Sequence, residues 1–299
     1  MKNQYFITFT LFFVLFSCGE QKSKERAIDS NLKTISFKST ADTKAFFKWN
    51  DSAPKLVSAH RGGPYPGFPE NSIEAFENVL KYTNAIIECD IAVTKDGKLI
   101  MMHDDKLNRT TTGFGLVKNK TWEEIQQLYL KDAEGTVTSY KVPSLEQVLQ
   151  WAIGKAFLTL DIKRGVSLDK VNELIKNTQS EPYVAIITYN HKRAQEVFKM
   201  NPDLMISISA RNISDVERIK NSGINTENLI AFTGVSEPQS EVYDELHKMG
   251  IFAILGALGN LDRRAIARGD QFYEKLYKNG ADILATDRPL EVVKQMARR

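Results

Sequence analysis

The sequence is poor in cysteine and in net charge, and each scarcity excludes a class of protein. Its two cysteines, Cys18 and Cys89, are too few for a disulfide framework. A fold without disulfides must rely on a buried core, which 299 residues with 42% hydrophobic content can supply. The formal charge of +3 is small and no long basic block occurs, so the composition gives no reason to expect a nucleic acid as partner.

The N-terminus contains an apolar segment that is short for a membrane-spanning helix. Residues 5–16 are almost entirely apolar, and they follow a weakly positive start at Lys2. This arrangement is typical of an export signal. The segment ends at Leu15-Phe16-Ser17-Cys18, which resembles a bacterial lipobox with Cys18 as the acylated residue. The alternative is a simple signal peptide in which Cys18 has no role.

These features predict how the chain is divided and where the protein resides. We expect residues 1–17 to be a lipoprotein signal peptide and the polar residues 18–40 to be a tether. The protein would then be exported and anchored to a membrane by the lipid on Cys18, on the periplasmic or outer-membrane side of a bacterium. Residues 41–299 would form the folded domain.

Short apolar runs alternate with segments of helical period from residue 55 onward. Such alternation predicts a parallel α/β fold, and the length suits a (β/α)8 TIM barrel, with a doubly wound sheet as the alternative. Nine runs, rather than eight, have the character of strands. Residues 85–93 and 99–103 explain the excess, because the five residues between them are too few for a helix and favour a hairpin.

The alternation of strands and helices is interrupted between residues 105 and 142. This segment contains Arg109-Thr110-Thr111-Thr112-Gly113 and one clear helical pattern, at residues 121–130. We therefore predict that the barrel carries a small insertion after the third strand, lying over one end of the barrel.

Residues 56–72, with the sequence LVSAHRGGPYPGFPENS, lead from the first predicted strand into a helix. His60 and Arg61 follow the apolar run, and Asn71-Ser72 is a typical helix start. Catalytic and binding groups concentrate on loops of this kind, which a rigid scaffold holds in place. The loop sets a titratable imidazole beside a fixed cation, so His60 and Arg61 are candidate site residues.

The second predicted strand carries two carboxylates on one face. Glu88 and Asp90 are two residues apart and therefore project to the same side, whereas Cys89 projects to the other side and is interpreted as a core residue. Two carboxylates on an apolar strand repel each other and are costly to bury unless a cation lies between them. Their oxygens suit Mg²⁺ or Ca²⁺. The alternative is an edge strand with a solvated acidic face.

Two further groups are expected near these carboxylates. A hairpin turn centred near Asp96-Gly97 would set His103 opposite Asp90. If the two strands are instead parallel neighbours, His103 still ends its strand at the end of the barrel where active sites form. Asp161 and Lys163 end a later strand with the same two-residue spacing, which adds a third carboxylate and an ammonium group. Both histidines and all three carboxylates would then lie at the ends of the first strands, where barrel active sites form.

This set of groups can perform chemistry at a phosphate. A divalent cation together with arginine and lysine binds phosphate oxygens, and two histidines can act as base and acid on opposite sides of a displacement at phosphorus. The other two histidines, His191 and His247, lie in helical segments among charged residues and are interpreted as surface residues.

At these residues the sequence resembles the glycerophosphodiester phosphodiesterase family of TIM-barrel enzymes. The matching motifs occur in the family's order from about residue 56 to 164 and again near residue 286. They are His60-Arg61-Gly62, Glu70-Asn71-Ser72, Glu88-x-Asp90, Thr94-x-Asp96-Gly97, His103-Asp104, Asn108-Arg109-Thr110-Thr111, Pro143-Ser144-Leu145, Asp161-x-Lys163 and Thr286-Asp287-x-Pro289.

The resemblance implies an acid–base pair of histidines, one divalent cation (Mg²⁺ or Ca²⁺) held by three carboxylates, and two cations on the substrate phosphate. Glu70 and Asn71 are candidates for a supporting role behind the site. By function, the implied residues are His60 and His103 for catalysis, Glu88, Asp90 and Asp161 for the metal, and Arg61 and Lys163 for the phosphate.

The sequence departs from the family's pattern at three places. Asp161 stands where the family usually has Glu, and Ser72 replaces a usual Thr. A tryptophan-threonine motif expected near the penultimate strand is absent, and Ile254-Leu255-Gly256-Ala257 stands there instead. That region would shape the alcohol pocket, so the departure bears on the choice of alcohol more than on the reaction type.

The resemblance therefore predicts metal-dependent hydrolysis of a glycerophosphodiester, a small molecule, to glycerol phosphate and an alcohol. Two alternatives stay open. One is a lipid-anchored protein that binds phosphodiesters without turnover, which Asp161 and the missing tryptophan motif favour. The other is a barrel phosphodiesterase that acts on another phosphodiester or on intact phospholipid.

Overall fold

The structure, a computed structural model, describes residues 31–297. The predicted signal peptide, Cys18 and the first part of the predicted tether lie outside these residues. Within residues 31–297, no helix has both the length and the apolar character that crossing a membrane requires.

The strands and helices alternate along the chain as the apolar pattern predicts. The strands are β1 (Leu56–Ala59), β2 (Ile86–Val93), β3 (Leu99–Met101), β4 (Phe157–Ile162), β5 (Val184–Thr188), β6 (Met205–Ser209), β7 (Leu229–Phe232), β8 (Phe252–Gly256) and β9 (Ile283–Thr286). The α-helices are α1 (Thr40–Phe46), α2 (Ile73–Leu80), α3 (Trp122–Gln126), α4 (Leu145–Ala152), α5 (Leu168–Thr178), α6 (His191–Met200), α7 (Ile213–Lys220), α8 (Ser240–Lys248), α9 (Asn260–Arg268), α10 (Phe272–Lys278) and α11 (Pro289–Met296).

Eight parallel strands close into a barrel, which confirms the predicted (β/α)8 fold. Their order around the barrel is β1, β2, β4, β5, β6, β7, β8 and β9, and β9 pairs with β1 to complete the ring. The closure excludes the doubly wound alternative, whose sheet has two free edges. Strand residues are buried almost throughout, because the helices cover the outer face while side chains fill the interior.

β3 is the excess strand, and it forms the predicted hairpin with β2. Ile91 pairs with Met101 in antiparallel register, and the Met102 N–H donates to the Asp90 carbonyl at 3.0 Å. Met102, rather than His103, therefore stands opposite Asp90, and the predicted pairing is wrong by one residue.

The turn explains this shift of register. The Thr94 N–H donates to the Lys98 carbonyl at 3.0 Å, which closes a loop centred on Asp96. The predicted centre lies between Asp96 and Gly97, half a residue further along the chain. Gly97 has φ +85°, a left-handed conformation that glycine adopts without a steric penalty.

The predicted insertion builds a small core of its own. Met102 and Ile100, at the end of the hairpin, pack with apolar residues from the inserted segment. The helix in this segment, α3, is shorter than predicted, and a capping box between Thr121 and Glu124 fixes its start. The apolar members contributed by the insertion are Leu107, Val117, Ile125, Leu130 and Val142.

The last part of the predicted tether belongs to the folded domain, so the predicted domain start at residue 41 is too late. Ile35 and Phe37 are buried in the main core. The Ile35 N–H donates to the Lys155 carbonyl at 2.9 Å, and the Phe37 N–H donates to the Tyr183 hydroxyl at 3.1 Å. The few apolar residues of this stretch, among them Leu32, Ile35 and Phe37, form no sustained apolar stripe, and the sequence pattern misses them for that reason.

His247 is not the surface residue that its helical context suggests. It stacks on Trp49 with ring centroids 4.0 Å apart, and its Nε2 lies 2.8 Å from Asp282 Oδ2 at the start of β9. Asp282 also accepts from Trp49 Nε1 at 3.0 Å and from Lys55 Nζ at 2.9 Å. This cluster lies at the N-terminal end of the barrel. The predicted site residues lie at the opposite end, where the strands have their C-termini.

Candidate active site

A cavity of about 410 Å³ opens at the C-terminal ends of the strands. All residues predicted to act directly on metal or substrate line it, which brings together side chains from β2 and β4 and from the segments after β1, β3 and β4. Glu70 and Asn71 are not among the lining residues and stand behind them. The lining residues predicted from the sequence are His60, Arg61, Glu88, Asp90, His103, Asp161 and Lys163.

A tight turn after β1 places His60 at the cavity. Arg61 adopts a left-handed conformation with φ +53°, and Gly62 follows with φ +81°. A Cβ on Gly62 would lie 2.1 Å from the ring of Phe76, so α2 packs directly against the turn and requires glycine there. The close packing of helix on turn holds the His60 backbone in a fixed position.

His60 lies between two carboxylates. Its Nδ1 is 2.6 Å from Asp287 Oδ1, and its Nε2 is 4.0 Å from Glu88 Oε2. Burial by itself would lower the pKa of His60, but the hydrogen bond to Asp287 and the charges of both carboxylates raise that pKa above its usual value.

Three carboxylates meet below His60. Asp90 on β2 and Asp161 on β4 are paired in the parallel register, and Glu88 precedes Asp90 on the same face. One oxygen from each of the three lies within 4.8 Å of the others, and all three residues are buried. Burial and the charge of Asp90 raise the pKa of Glu88, since like charges crowded in an apolar site disfavour ionisation.

The donor set fits a divalent cation. Carboxylate oxygens are the ligands that Mg²⁺ and Ca²⁺ prefer. Asp161 Oδ1 is buried and has no hydrogen-bond partner among the described residues, so a ligating position is available there. Lys163 Nζ bridges two of the three carboxylates, at 2.7 Å from Asp90 Oδ1 and 2.6 Å from Asp161 Oδ2. A cation and Lys163 together would balance the three negative charges.

Asn71 orients one of the three carboxylates. Its Nδ2 donates to Asp90 Oδ2 at 2.8 Å, and its Oδ1 accepts the Asp90 backbone N–H at 2.9 Å. Asn71 has φ +57°, a conformation that asparagine tolerates better than most residues. This geometry agrees with the supporting role predicted for Asn71.

His103 is held by a chain of charged groups, two of which, Asp104 and Arg109, have no role predicted from the sequence. Its Nδ1 is 2.7 Å from Asp104 Oδ1. Arg109 donates to Asp104 at 2.7 and 2.9 Å and to Glu70 at 2.7 and 2.8 Å. Glu70 in turn accepts from Arg61 Nη1 at 3.3 Å. The His103-Asp104 and Asn108-Arg109 motifs are the features of the sequence that could have pointed to Asp104 and Arg109. The spacing of these motifs does not show that the two side chains contact each other.

Asp287 also has no role predicted from the sequence, although its motif, Thr286-Asp287-x-Pro289, is recognised there. It follows β9, and its backbone N–H donates to Asp262 Oδ2 at 3.0 Å. Asp262 also accepts from the Thr286 and Tyr273 hydroxyls, both at 2.8 Å. α9, which the sequence pattern does not predict, carries Asp262 and thereby fixes the residue that orients His60.

The far side of the cavity holds Tyr189 and Arg211, neither of which is predicted from the sequence. Tyr189 follows β5 directly, and Arg211 lies two residues beyond β6. Partial desolvation and the negative charge of Asp161 raise the pKa of Tyr189, although 63% of its surface is exposed. Their position at strand C-termini is the signal that could have identified them.

Comparison with known proteins identifies the family of the chain. A model of the glycerophosphoryl diester phosphodiesterase family matches residues 60–287. The chain belongs to this family. The matched segment begins at His60 and ends at Asp287, two residues that contact each other across the barrel closure.

Individual relatives lead to the same family. A glycerophosphodiester phosphodiesterase of Caldanaerobacter subterraneus subsp. tengcongensis is 37% identical over 160 residues, which are 51% of this chain and 65% of that protein. The chain thus covers slightly less than two thirds of that relative. A crystal structure of a glycerophosphoryl diester phosphodiesterase from Parabacteroides distasonis has a TM-score of 0.83 at 35% identity, covering 89% of this chain and 94% of that one.

A more distant structure shares the fold. A phosphodiesterase of Oleispira antarctica, solved with its product sn-glycerol-3-phosphate, has a TM-score of 0.63 at 18% identity and covers 81% of this chain and 96% of that one. Likeness at this identity shows the barrel alone.

Proposed function

We propose that this protein hydrolyses glycerophosphodiesters to glycerol phosphate and an alcohol, with a divalent cation and with His60 and His103 as the acid–base pair. The observation that carries the proposal is that each of the two histidines is held by a carboxylate. Each lines the cavity, and each has its Nδ1 within 2.7 Å of a carboxylate, Asp287 for His60 and Asp104 for His103. A carboxylate on Nδ1 fixes the tautomer and leaves Nε2 for proton transfer.

The remaining groups complete a site for phosphoryl chemistry. Lys163 and Arg61 place positive charge beside the carboxylates, where a phosphate oxygen would bind. One histidine accepts a proton from the attacking oxygen, which belongs either to water or to a substrate hydroxyl, and the other donates a proton to the oxygen of the leaving alcohol. Lys163 stabilises the negative charge that develops on the phosphorus oxygens, and a group of this kind contributes about 3–4 kcal/mol to lowering the barrier.

Glu88, Asp90 and Asp161 would hold the cation. When bound there, Mg²⁺ or Ca²⁺ supplies Lewis-acid stabilisation of the phosphate oxygens. The family membership and the buried oxygen of Asp161 support this assignment.

The test is hydrolysis of glycerophosphocholine, glycerophosphoethanolamine and glycerophosphoinositol with Mg²⁺ or Ca²⁺, against a chelated control. We expect turnover that chelation abolishes and the metal restores. His60→Ala and His103→Ala should each lose nearly all turnover while they remain folded, and His191→Ala, a histidine outside the cavity lining, should retain it. Near-normal hydrolysis by either active-site variant would refute the assignment.

The same experiment decides the alternative of binding without turnover. A protein of that kind would bind the diesters in calorimetry and release no product with any metal. The paired carboxylate–histidine contacts favour turnover, because binding alone needs no acid–base pair. Adding intact phospholipid to the panel tests the remaining alternative, and detection of a cyclic phosphate would distinguish attack by a substrate hydroxyl from direct attack by water.

We also propose that Cys18 carries the lipid anchor and that the protein acts at a bacterial membrane. The support is the Leu15-Phe16-Ser17-Cys18 sequence after an apolar segment. Metabolic labelling with a radioactive fatty acid should mark the wild-type protein and leave the Cys18→Ala variant unlabelled. Equal labelling of both would refute the anchor without affecting the proposed enzymatic activity.

A further inference from the structure

The cavity has a second half that the proposed acid–base chemistry does not use. Strands β5 to β8 and the segments after them form it, with Ile187, Phe232, Ile254 and Leu258 as an apolar wall. The scissile phosphate would lie in the first half, among the histidines and carboxylates. We assign the second half to the alcohol of the substrate, because Ile254 lines it and the segment around Ile254 is the one expected to shape the alcohol pocket.

Arg211 brings a positive charge into this half. Ser207, Ser209 and Arg211 follow one another at a spacing of two residues along and beyond β6, and all three line the cavity. The stem of Arg211 lies over Gly234 in the segment after β7, where an added Cβ would be 3.7 Å from Arg211 Cγ. The stem of the side chain is thus supported, and Arg211 is an exposed residue that lines the cavity.

Within residues 31–297, the Arg211 guanidinium makes no ion pair or hydrogen bond. The backbone N–H of Arg211 donates to Asp215 Oδ2 at 2.9 Å, but the other oxygen of that carboxylate binds Arg218. No described lining residue from β5 to β8 or from the segments after them is an aspartate or glutamate. The carboxylates that do line the cavity belong to β2 and β4: Glu88, Asp90 and Asp161.

We propose that Arg211 selects substrates whose alcohol carries an anionic group, a carboxylate or a phosphate, at the end remote from the scissile phosphate. This inference rests on the proposed function, because it takes the scissile phosphate to lie between His60 and His103. A guanidinium binds carboxylate or phosphate oxygens through two parallel hydrogen bonds. A quaternary ammonium head group would instead meet a positive charge with no carboxylate on that wall.

The test uses pairs of substrates that differ by one anionic group. Glycerophosphoserine differs from glycerophosphoethanolamine by a carboxylate, and a glycerophosphoinositol phosphate differs from glycerophosphoinositol by a phosphate. We expect the wild-type kcat/KM to be at least about tenfold higher for the anionic member of one or both pairs. The pair with the larger ratio identifies which anion the site accepts.

Substitutions then assign the preference to Arg211. In Arg211→Gln the ratio within the preferred pair should fall to near one. Arg211→Lys should give an intermediate ratio, because it keeps the charge and loses the planar fork. Arg193→Gln is the matched control, since Arg193 lies outside the cavity lining and pairs with Glu196 on α6. Its ratio should equal that of the wild type.

The outcomes separate this inference from the proposed function. Hydrolysis of the panel with ratios near one in the wild type, or with ratios unchanged in Arg211→Gln, would overturn the role of Arg211 and leave the proposed function standing. The absence of hydrolysis of every diester would overturn both. Turnover of glycerophosphoethanolamine by the variants shows that they fold.

Discussion

Glu70 and Arg109 form a two-pronged ion pair, with Arg109 Nη1 and Nη2 at 2.7 and 2.8 Å from the two carboxylate oxygens. The same guanidinium group binds Asp104, which holds His103. Glu70 also accepts from Arg61, the residue next to His60. About half of the Arg109 side chain is exposed. Arg109 nevertheless connects the loop that follows His60 to the inserted segment that follows His103. Arg109 therefore links the two segments that carry the histidines, and we expect it to fix their relative position.

Replacement of Arg109 by lysine should reduce turnover although the charge is kept. Lysine cannot bind two carboxylates with a rigid fork, so Asp104 would lose its fixed orientation and with it that of His103. We expect kcat to fall by about tenfold to 100-fold, the range seen when the partner of a site ligand is removed. Steady-state kinetics of Arg109→Lys beside the surface control Arg193→Lys measures this effect. Equal kcat values in the two variants would contradict the positioning role.

Asp287→Asn should impair His60 in two measurable ways. The carboxylate fixes the His60 tautomer and stabilises the imidazolium form, so its removal should lower kcat by about 100-fold or more. The hydrogen bond to Asp287 raises the pKa of His60, and the variant should therefore titrate at a lower pH than the wild type. An NMR titration of the His60 ring measures the shift. A normal His60 titration together with reduced kcat would assign the defect to another cause.

The sequence pattern predicts the barrel because its strands are short apolar runs separated by helical segments. Each of these runs can be identified from neighbouring residues alone. The pattern also predicts every metal and histidine candidate that lines the cavity, since two-residue spacing and strand ends determine which side chains share a face. The register of the hairpin is missed by one residue because it depends on the turn at Asp96-Gly97, whose geometry the composition does not specify.

The sequence pattern cannot predict contacts between segments that are far apart in the chain. Asp287 meets His60 across 227 residues, and Arg109 meets Glu70 across 39. Arg211 and Tyr189 carry no motif, so their place at the cavity follows from barrel closure alone. Asp282 and His247 look like an ordinary strand-end residue and an ordinary helix residue, and their contacts with each other and with Trp49 join segments that are far apart in the chain.

Asp161 should govern metal affinity. Its buried Oδ1 has no partner within residues 31–297, so Asp161→Asn removes a charged ligand without removing bulk. We expect the metal concentration for half-maximal activity to rise by at least about tenfold, and calorimetry with the metal alone to show the same weakening. Asp161→Glu restores the residue more usual in the family and should retain metal binding. Unchanged metal affinity in Asp161→Asn would exclude Asp161 as a ligand.

Asp282 should stabilise the barrel at its N-terminal end in a pH-dependent manner. Its carboxylate is buried and accepts from Lys55, Trp49, His247 and the Ala253 N–H. Burial by itself would raise the pKa of Asp282, but these donors, led by His247, lower it. Asp282→Asn leaves Lys55 and His247 without a charged acceptor. We expect it to reduce the free energy of unfolding at pH 7 by about 3–5 kcal/mol, as for other broken buried pairs.

The sign of the pH dependence follows from the lowered pKa. Because the folded-state pKa of Asp282 lies below the unfolded value of about 3.9, its contribution is complete above that value and is lost as the pH falls through the folded pKa. Urea unfolding of the wild type and Asp282→Asn should therefore give a large gap in unfolding free energy between pH 5 and 7, and a smaller gap near pH 3. Asp203→Asn, at an exposed site, should change the unfolding free energy by less than about 0.5 kcal/mol throughout. A gap between the wild type and Asp282→Asn that stays constant down to pH 3 would show that the carboxylate charge does not contribute, and that the substitution reduces stability through packing alone.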